Sequence, residues 1–280
     1  MSWIDAIILG LVQGLTEFLP VSSSGHLELG KYFLNIESGN SLAFTVAVHG
    51  ATVLSILIVF RKDIICLLKG SITFKWNMEN QYILKIIISM IPVGILGLFL
   101  QENIEKFFTK NIRFVGSMLV VTAILLALSH FARAKNKKLN YLDAFIIGLS
   151  QGFAVLPGIS RSGATIVTGL LLGIKKEEVA KFSFLMIVIP VIGANLKDVF
   201  SGDFTDAAGV GLIPIVIGFF TAFISGLLAC KWMINLVKRG KLVNFSAYCF
   251  LLGNLSKSLN IREKHRDHVV FPFDCFTFYF

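Results

Sequence analysis

The chain has 280 residues, 55% of them hydrophobic and only 15% charged, with a mean hydropathy of +0.77. A water-soluble domain carries about 25% charged residues, so this composition excludes a soluble globular enzyme and implies an integral membrane protein. The net charge of +9 comes with no basic helix or aromatic-interleaved basic groove, which argues against nucleic acid as a partner and for loop bias and lipid headgroups.

The first apolar stretch, Ile4–Leu19, is about 15 residues long, too short to cross about 30 Å of hydrocarbon as a helix. It breaks at Pro20-Val21-Ser22-Ser23-Ser24-Gly25, and a short helix, a polar turn and a second short helix describe a re-entrant hairpin over 4–34. Gln13 and Glu17 are four apart and share one helix face, with Gly10 and Gly14 on a neighbouring stripe where another helix can approach closely. A carboxylate at membrane depth costs at least ~2.5 kcal/mol on insertion scales, so Glu17 is a candidate functional residue. Three readings stand for it: a ligand for Mg²⁺ or Ca²⁺, an acid/base group, or an ion pair with Arg161 that merely joins two parts of the fold. Gln13 cannot ionise and is read as a carbonyl ligand or an orienting hydrogen bond. In the turn, Ser22, Ser23 and Ser24 precede His26. Either Ser23 and His26 form a nucleophile and its base, or the serines cap the next helix and His26 is a buried, hydrogen-bonded residue.

Three full spans follow, near Leu42–Phe60, Tyr82–Leu100 and Ile112–Phe131. His49, in the first of them, is read as a polar residue that bonds a neighbouring helix. Leu142–Leu156 is again only about 15 residues and runs into Pro157-Gly158-Ile159-Ser160-Arg161-Ser162-Gly163-Ala164-Thr165, giving a second hairpin over 142–174. Here a guanidinium, hydroxyls and glycines open a helix that runs to Gly173. Arginine forks onto phosphate oxygens, Ser160, Ser162 and Thr165 offer hydroxyls, and the backbone through Gly163 adds N–H donors at the positive end of a helix dipole, so the segment reads as a phosphate cradle. The alternative is a structural staple, with Ser162 as the helix cap. Three more spans follow, near Val179–Leu196, Gly209–Trp232 and Val243–Leu259, and then a Phe-rich tail over 261–280 with no readable role. The cysteines Cys66, Cys230, Cys249 and Cys275 stand far apart with no CxxC pair, so neither a metal cluster nor a disulfide framework is indicated.

The two hairpins are copies. Asp5 through Gly14 matches Asp143 through Gly152 at an offset of 138, which also lays Ser22-Ser23-Ser24-Gly25 over Ser160-Arg161-Ser162-Gly163. With one hairpin and three spans per half (1–138 and 139–260), the second copy is upside down, an inverted-topology repeat within one membrane domain. The expected fold is therefore all-α and polytopic, with six transmembrane helices and two re-entrant hairpins. Taking the N-terminus as outside puts Arg61, Lys62, Lys69 and Lys75, the cluster from Arg133 to Lys138, Lys175, Lys176 and Lys181, and the cluster from Lys231 to Lys241 in inner loops. That positive-inside bias places both termini outside, against the vote of the basic tail.

The motifs Gln13-Gly14-Leu15-Thr16-Glu17 and Pro157 through Thr165 resemble the (Glu/Gln)-x-x-x-Glu and Pro-Gly-x-Ser-Arg-Ser-x-x-Thr patterns of the bacterial undecaprenyl-diphosphatase family, also called bacitracin-resistance proteins. The likeness runs to about Asn260. It implies a multi-pass enzyme of the bacterial plasma (inner) membrane, its site facing the outer side, that removes one phosphate from undecaprenyl diphosphate with a divalent cation and so recycles the carrier lipid of peptidoglycan synthesis. The family's functional positions fall on Gln13, Glu17, Ser23, His26, Ser160, Arg161 and Thr165. The family's partners are the membrane and a polyprenyl diphosphate lipid; a homodimer is left open. This chain has Gln at the first motif position, which weakens any mechanism needing two carboxylates there, and its tail is unlike the family. Because inverted repeats of broken helices are also transporter architecture, carriage of a prenyl phosphate or another anion, with Arg161 as binding site and Glu17 as coupling group, is the alternative reading.

Overall fold

The computed structural model describes residues 1–34, 36, 42–72, 75–107, 112–132, 135–200, 210–240 and 242–263. Across these the chain runs as α1 (Trp3–Thr16), α2 (Ser23–Phe33), α3 (Leu42–Val59), α4 (Arg61–Ser71), α5 (Met78–Phe107), α6 (Ile112–Leu128), α7 (Tyr141–Phe153), α8 (Arg161–Leu171), α9 (Lys176–Phe200), α10 (Leu212–Arg239) and α11 (Val243–Glu263), with no strand among the described residues. The tail from 264 onward, and Arg133 and Lys241, which enter the charge reading, lie outside the described residues.

The two short-helix pairs begin alike. Ser2 caps α1 through the Asp5 N–H while the Asp5 carboxylate takes the Ser2 N–H, and Asn140 and Asp143 do the same for α7. Such a reciprocal box satisfies donors that every helix start leaves without an intrahelical partner. Asp5 and Asp143 thus take part in capping, as their positions at the helix starts suggest. Each short helix stops at a break, over 17–22 and 154–160, and a second short helix follows.

Each of the six predicted spans coincides with a helix. Among the described residues, Met78–Leu96, Arg113–Phe131 and Leu212–Arg239 are long and apolar enough to cross a membrane, and the bent pair Ala43–Val59 and Arg61–Ser71 adds a fourth if the two helices are one span. That pair corrects the sequence reading, which left 61–75 as an inner loop. The chain bends by 75° and continues as α4, a helix with no buried residue. The apolar residues Ile64, Ile65, Leu67 and Leu68 recur at helical spacing between Lys62 and Lys69, too few for a span but enough for a short amphipathic helix.

Packing crosses between the halves. α1 lies on α10 and α7 on α5, while α6 pairs with α11 and α3 with α10. Small residues allow these approaches. A Cβ at Gly10 would stand 2.7 Å from the Gly218 carbonyl, and one at Gly14 would collide with Ser225 and the Ala222 carbonyl. At the matching positions of α7, a Cβ on Gly148 would overlap the Ser89 backbone and one on Gly152 the Leu96 side chain. The largest buried cluster draws on both halves, with Phe18, Phe60 and Ile86 packed among Ile147, Phe184 and Met233. This shared core carries the two breaks inward.

Candidate active site

The first break follows directly on α1. Glu17 is the helix C-cap, its N–H bonded to the Gln13 carbonyl, so its side chain leaves the helix on the face that holds Gln13. The backbone then turns through Ser22 at φ +70°, a left-handed conformation rare outside glycine that stores about 1–3 kcal/mol. Ser22 caps α2 by accepting the Gly25 N–H at 3.4 Å. With the cap assigned to Ser22, Ser23 is left to point back at α1.

The second break is pinned from outside. Gly158 has φ +94°, and a Cβ there would stand 2.5 Å from the Val115 carbonyl. Thr122 of α6 donates to the Gly158 carbonyl at 2.8 Å and accepts the Ser160 N–H at 3.0 Å. Ser160, and not Ser162, is the cap of α8, taking the Gly163 N–H at 3.0 Å. The reading of Ser162 as the cap is therefore corrected: the residue whose backbone is still extended serves as the cap, because only its side chain can fold back over the first turn. Ser162 instead donates to the Leu19 carbonyl at 3.2 Å, linking the two breaks.

Glu17 and Arg161 meet in one pocket, lined by Glu17, Ser22, Ser23, Ser160, Arg161 and Ser162. Arg161 donates from Nη2 to Glu17 Oε1 at 2.8 Å, and both side chains are 8% exposed. The other oxygen, Oε2, accepts Ser23 Oγ–H at 2.6 Å and Gln13 Nε2–H at 2.9 Å. His49 of α3 presents Nε2 at 3.9 Å from the same oxygen. A buried ion pair is held only when its remaining lone pairs are satisfied, and Ser23 and Gln13 do this for Glu17.

The other named residues are placed differently. His26 does not face Ser23. Its Nδ1 donates to the Ser22 carbonyl at 2.7 Å, and its Nε2 accepts from the Tyr248 hydroxyl at 2.8 Å, with the two rings stacked 5.6 Å apart. Thr165, fully buried, donates to the Arg161 carbonyl at 2.9 Å and meets the Ser183 hydroxyl of α9, so it braces the cradle from behind and does not line the pocket. Gly163 leaves room for the first turn of α8, where a Cβ would stand 3.1 Å from Ser160.

For a divalent cation, the donors are the Glu17 carboxylate and Gln13 Oε1, a buried carbonyl with no hydrogen-bond partner. No three His, Cys, Asp or Glu side chains converge on one point among the described residues. The set fits a hard cation that completes its shell with water and substrate phosphate, as Mg²⁺ commonly does.

Three site neighbours escape sequence reasoning. His49 stands in a span where a polar residue usually bonds a neighbouring helix; it comes within 3.9 Å of Glu17 only through the packing of α3 against α1. Tyr248 and Thr122 come from spans with no motif at all, and no spacing in the chain marks them.

The chain matches the family described as bacitracin resistance protein BacA over residues 6–255. It is 54% identical over 255 residues to an undecaprenyl-diphosphatase of Christiangramia forsetii, covering 90% of this chain and 96% of the relative. It is 50% identical over 258 residues to one of Parabacteroides distasonis, with the same coverage, and 39% identical over 276 residues to one of Methanosphaera stadtmanae, covering 92% of this chain and 98% of the relative.

Proposed function

The chain belongs to the bacitracin resistance protein BacA family, and from that premise we propose that it hydrolyses undecaprenyl diphosphate to undecaprenyl phosphate and inorganic phosphate. The product is the carrier lipid of peptidoglycan synthesis, and its regeneration accounts for the resistance in the family's name. The single observation that carries the reading is the pocket in which the two motifs meet: a guanidinium, an extended run of hydroxyls and a carboxylate at 2.8 Å from that guanidinium.

Arg161 grips the diphosphate, assisted by Ser160 and Ser162 and by first-turn N–H groups that no helix start can satisfy internally. In doing so the guanidinium exchanges the Glu17 carboxylate for phosphate oxygens. Ser23 Oγ is held at 2.6 Å from Glu17 Oε2, so Glu17 is the assigned acceptor of its proton. Ser23 Oγ attacks the terminal phosphorus, the bond from that phosphorus to the bridging oxygen breaks, and prenyl monophosphate leaves. Water then attacks the phosphoseryl group and releases inorganic phosphate. His26, held between the Ser22 carbonyl and Tyr248, shapes the turn that carries Ser23. A divalent cation, Mg²⁺ or Ca²⁺, would be held by Glu17 and the Gln13 carbonyl and would neutralise phosphate charge as it is transferred.

The two short-helix pairs enter the bilayer as re-entrant hairpins of an inverted repeat, supported by the matched caps at Asp5 and Asp143 and the matched glycine contacts of α1 and α7. With positive charge inside, both termini and the pocket face the outer side of the bacterial plasma membrane. The prenyl chain stays among lipid-facing helices.

The test is phosphate release from undecaprenyl diphosphate by purified protein in detergent. The expected result is release that stops on chelation and returns with Mg²⁺ or Ca²⁺. A protein that releases no phosphate under any divalent cation, yet moves prenyl phosphate across vesicles, would restore the transporter reading.

A further inference from the structure

We propose that His49 is a ligand of the divalent cation, joining Glu17 and the Gln13 carbonyl in a site that forms when the diphosphate draws Arg161 away from Glu17. The proposal rests on the cation reading above. His49 is 4% exposed, and its Nδ1 lies 2.9 Å from the Thr45 carbonyl. A carbonyl only accepts, so Nδ1 carries the proton and Nε2 presents its lone pair, which is the form in which imidazole binds metals. The second-position hydrogen bond to a backbone carbonyl is also what fixes a metal-binding histidine in orientation.

Nε2 stands 3.9 Å from Glu17 Oε2, beyond hydrogen-bond range. Neighbouring ligands each about 2.1 Å from one octahedral ion stand about 3.0 Å apart, so His49 and Glu17 close by about 1 Å as the cation site forms. Gln13, fully buried beside the same oxygen, is the independent sign of a ligand: its Oε1 has no hydrogen-bond partner. Arg161 and Lys31 also act on His49 electrostatically. Two cationic groups oppose a metal before substrate binds, and the negative charge of a bound diphosphate removes that opposition. A nitrogen donor raises affinity for Mn²⁺ relative to Mg²⁺ and Ca²⁺, and it offsets the absence of a second carboxylate at position 13.

The test uses the full-length protein in detergent with Mn²⁺ and a non-hydrolysable methylene-bridged prenyl bisphosphonate, read by pulsed electron paramagnetic resonance. Expected is nitrogen-14 modulation from one directly bound imidazole, replaced by nitrogen-15 modulation in protein grown on nitrogen-15 histidine. The signal is lost in His49→Gln and persists in His26→Gln, and Mn²⁺ affinity in His49→Gln falls about 10–100-fold. Should His49→Gln fail to fold, His49→Asn serves for the same measurement. Mn²⁺ bound to wild type without imidazole modulation, or with modulation unchanged in the His49 variants, overturns the His49 assignment and leaves the cation reading standing. No Mn²⁺ bound to wild type with the bisphosphonate overturns both.

Discussion

At the scale of single residues, the pocket is a balance of buried charge. Glu17 and Arg161 neutralise each other at 2.8 Å, and removing either leaves its partner uncompensated. Glu17→Gln is therefore expected to destabilise the protein by about 3–5 kcal/mol while abolishing phosphate release. Thermal unfolding in detergent followed by size exclusion measures the first effect, and unchanged melting with lost turnover would assign Glu17 to chemistry alone. Arg161→Lys keeps the charge but loses the planar fork, and turnover should fall about 10²–10³-fold. Ser23→Ala separates nucleophile from orienting group: near-complete loss, together with labelled phosphate trapped on Ser23 in the wild type, is the expected pair of results. A Ser23→Ala protein with near-normal turnover would move the attack to water.

Among the elements, the decisive contacts are made by glycines. α1 and α7 come close to α10 and α5 only because Gly10, Gly14, Gly148 and Gly152 carry no side chain toward them. Gly148→Leu forces a side chain into the Ser89 backbone, and helix axes cannot separate without moving the break that follows α7. The expected outcome is a melting temperature lowered by several degrees, with lost activity, while Gly50→Ala, which faces open space, leaves both unchanged. Thr122 shows the same logic through a hydrogen bond. It holds the Gly158 carbonyl and the Ser160 N–H together, so Thr122→Val leaves two buried backbone groups without their partner and loosens the cradle.

For the whole molecule, the crossed packing of α1 on α10 and α7 on α5 makes neither half a separate folding unit, because the first short helix of each pair packs chiefly on a helix of the opposite half. The orientation is testable at this scale. Cysteines introduced at Ser2 and at Lys175, in protein with its native cysteines replaced, should differ in intact cells: Ser2→Cys is labelled by a membrane-impermeant maleimide, and Lys175→Cys only after lysis. The opposite pattern would turn the pocket to the inner side.

Composition, the 138-residue offset and the two motifs are local or periodic properties, so the sequence by itself determined that the chain is an all-α membrane protein with two short-helix pairs. It also named Gln13, Glu17, Ser23, His26, Ser160, Arg161, Ser162, Gly163 and Thr165 as one chemical set, of which His26 and Thr165 are turned to other partners in the structure. The amphipathic α4 escaped it because a short run flanked by lysines reads equally as a loop. Which atoms pair was decided only by tertiary structure: Ser23 turns to Glu17 and not to His26, His26 stacks on Tyr248 from the far end of the chain, and His49 arrives beside Glu17 from another helix. Those pairings depend on how α3, α6 and α11 are packed around the breaks, and helix packing is set by the shapes of surfaces that no single stretch of chain contains.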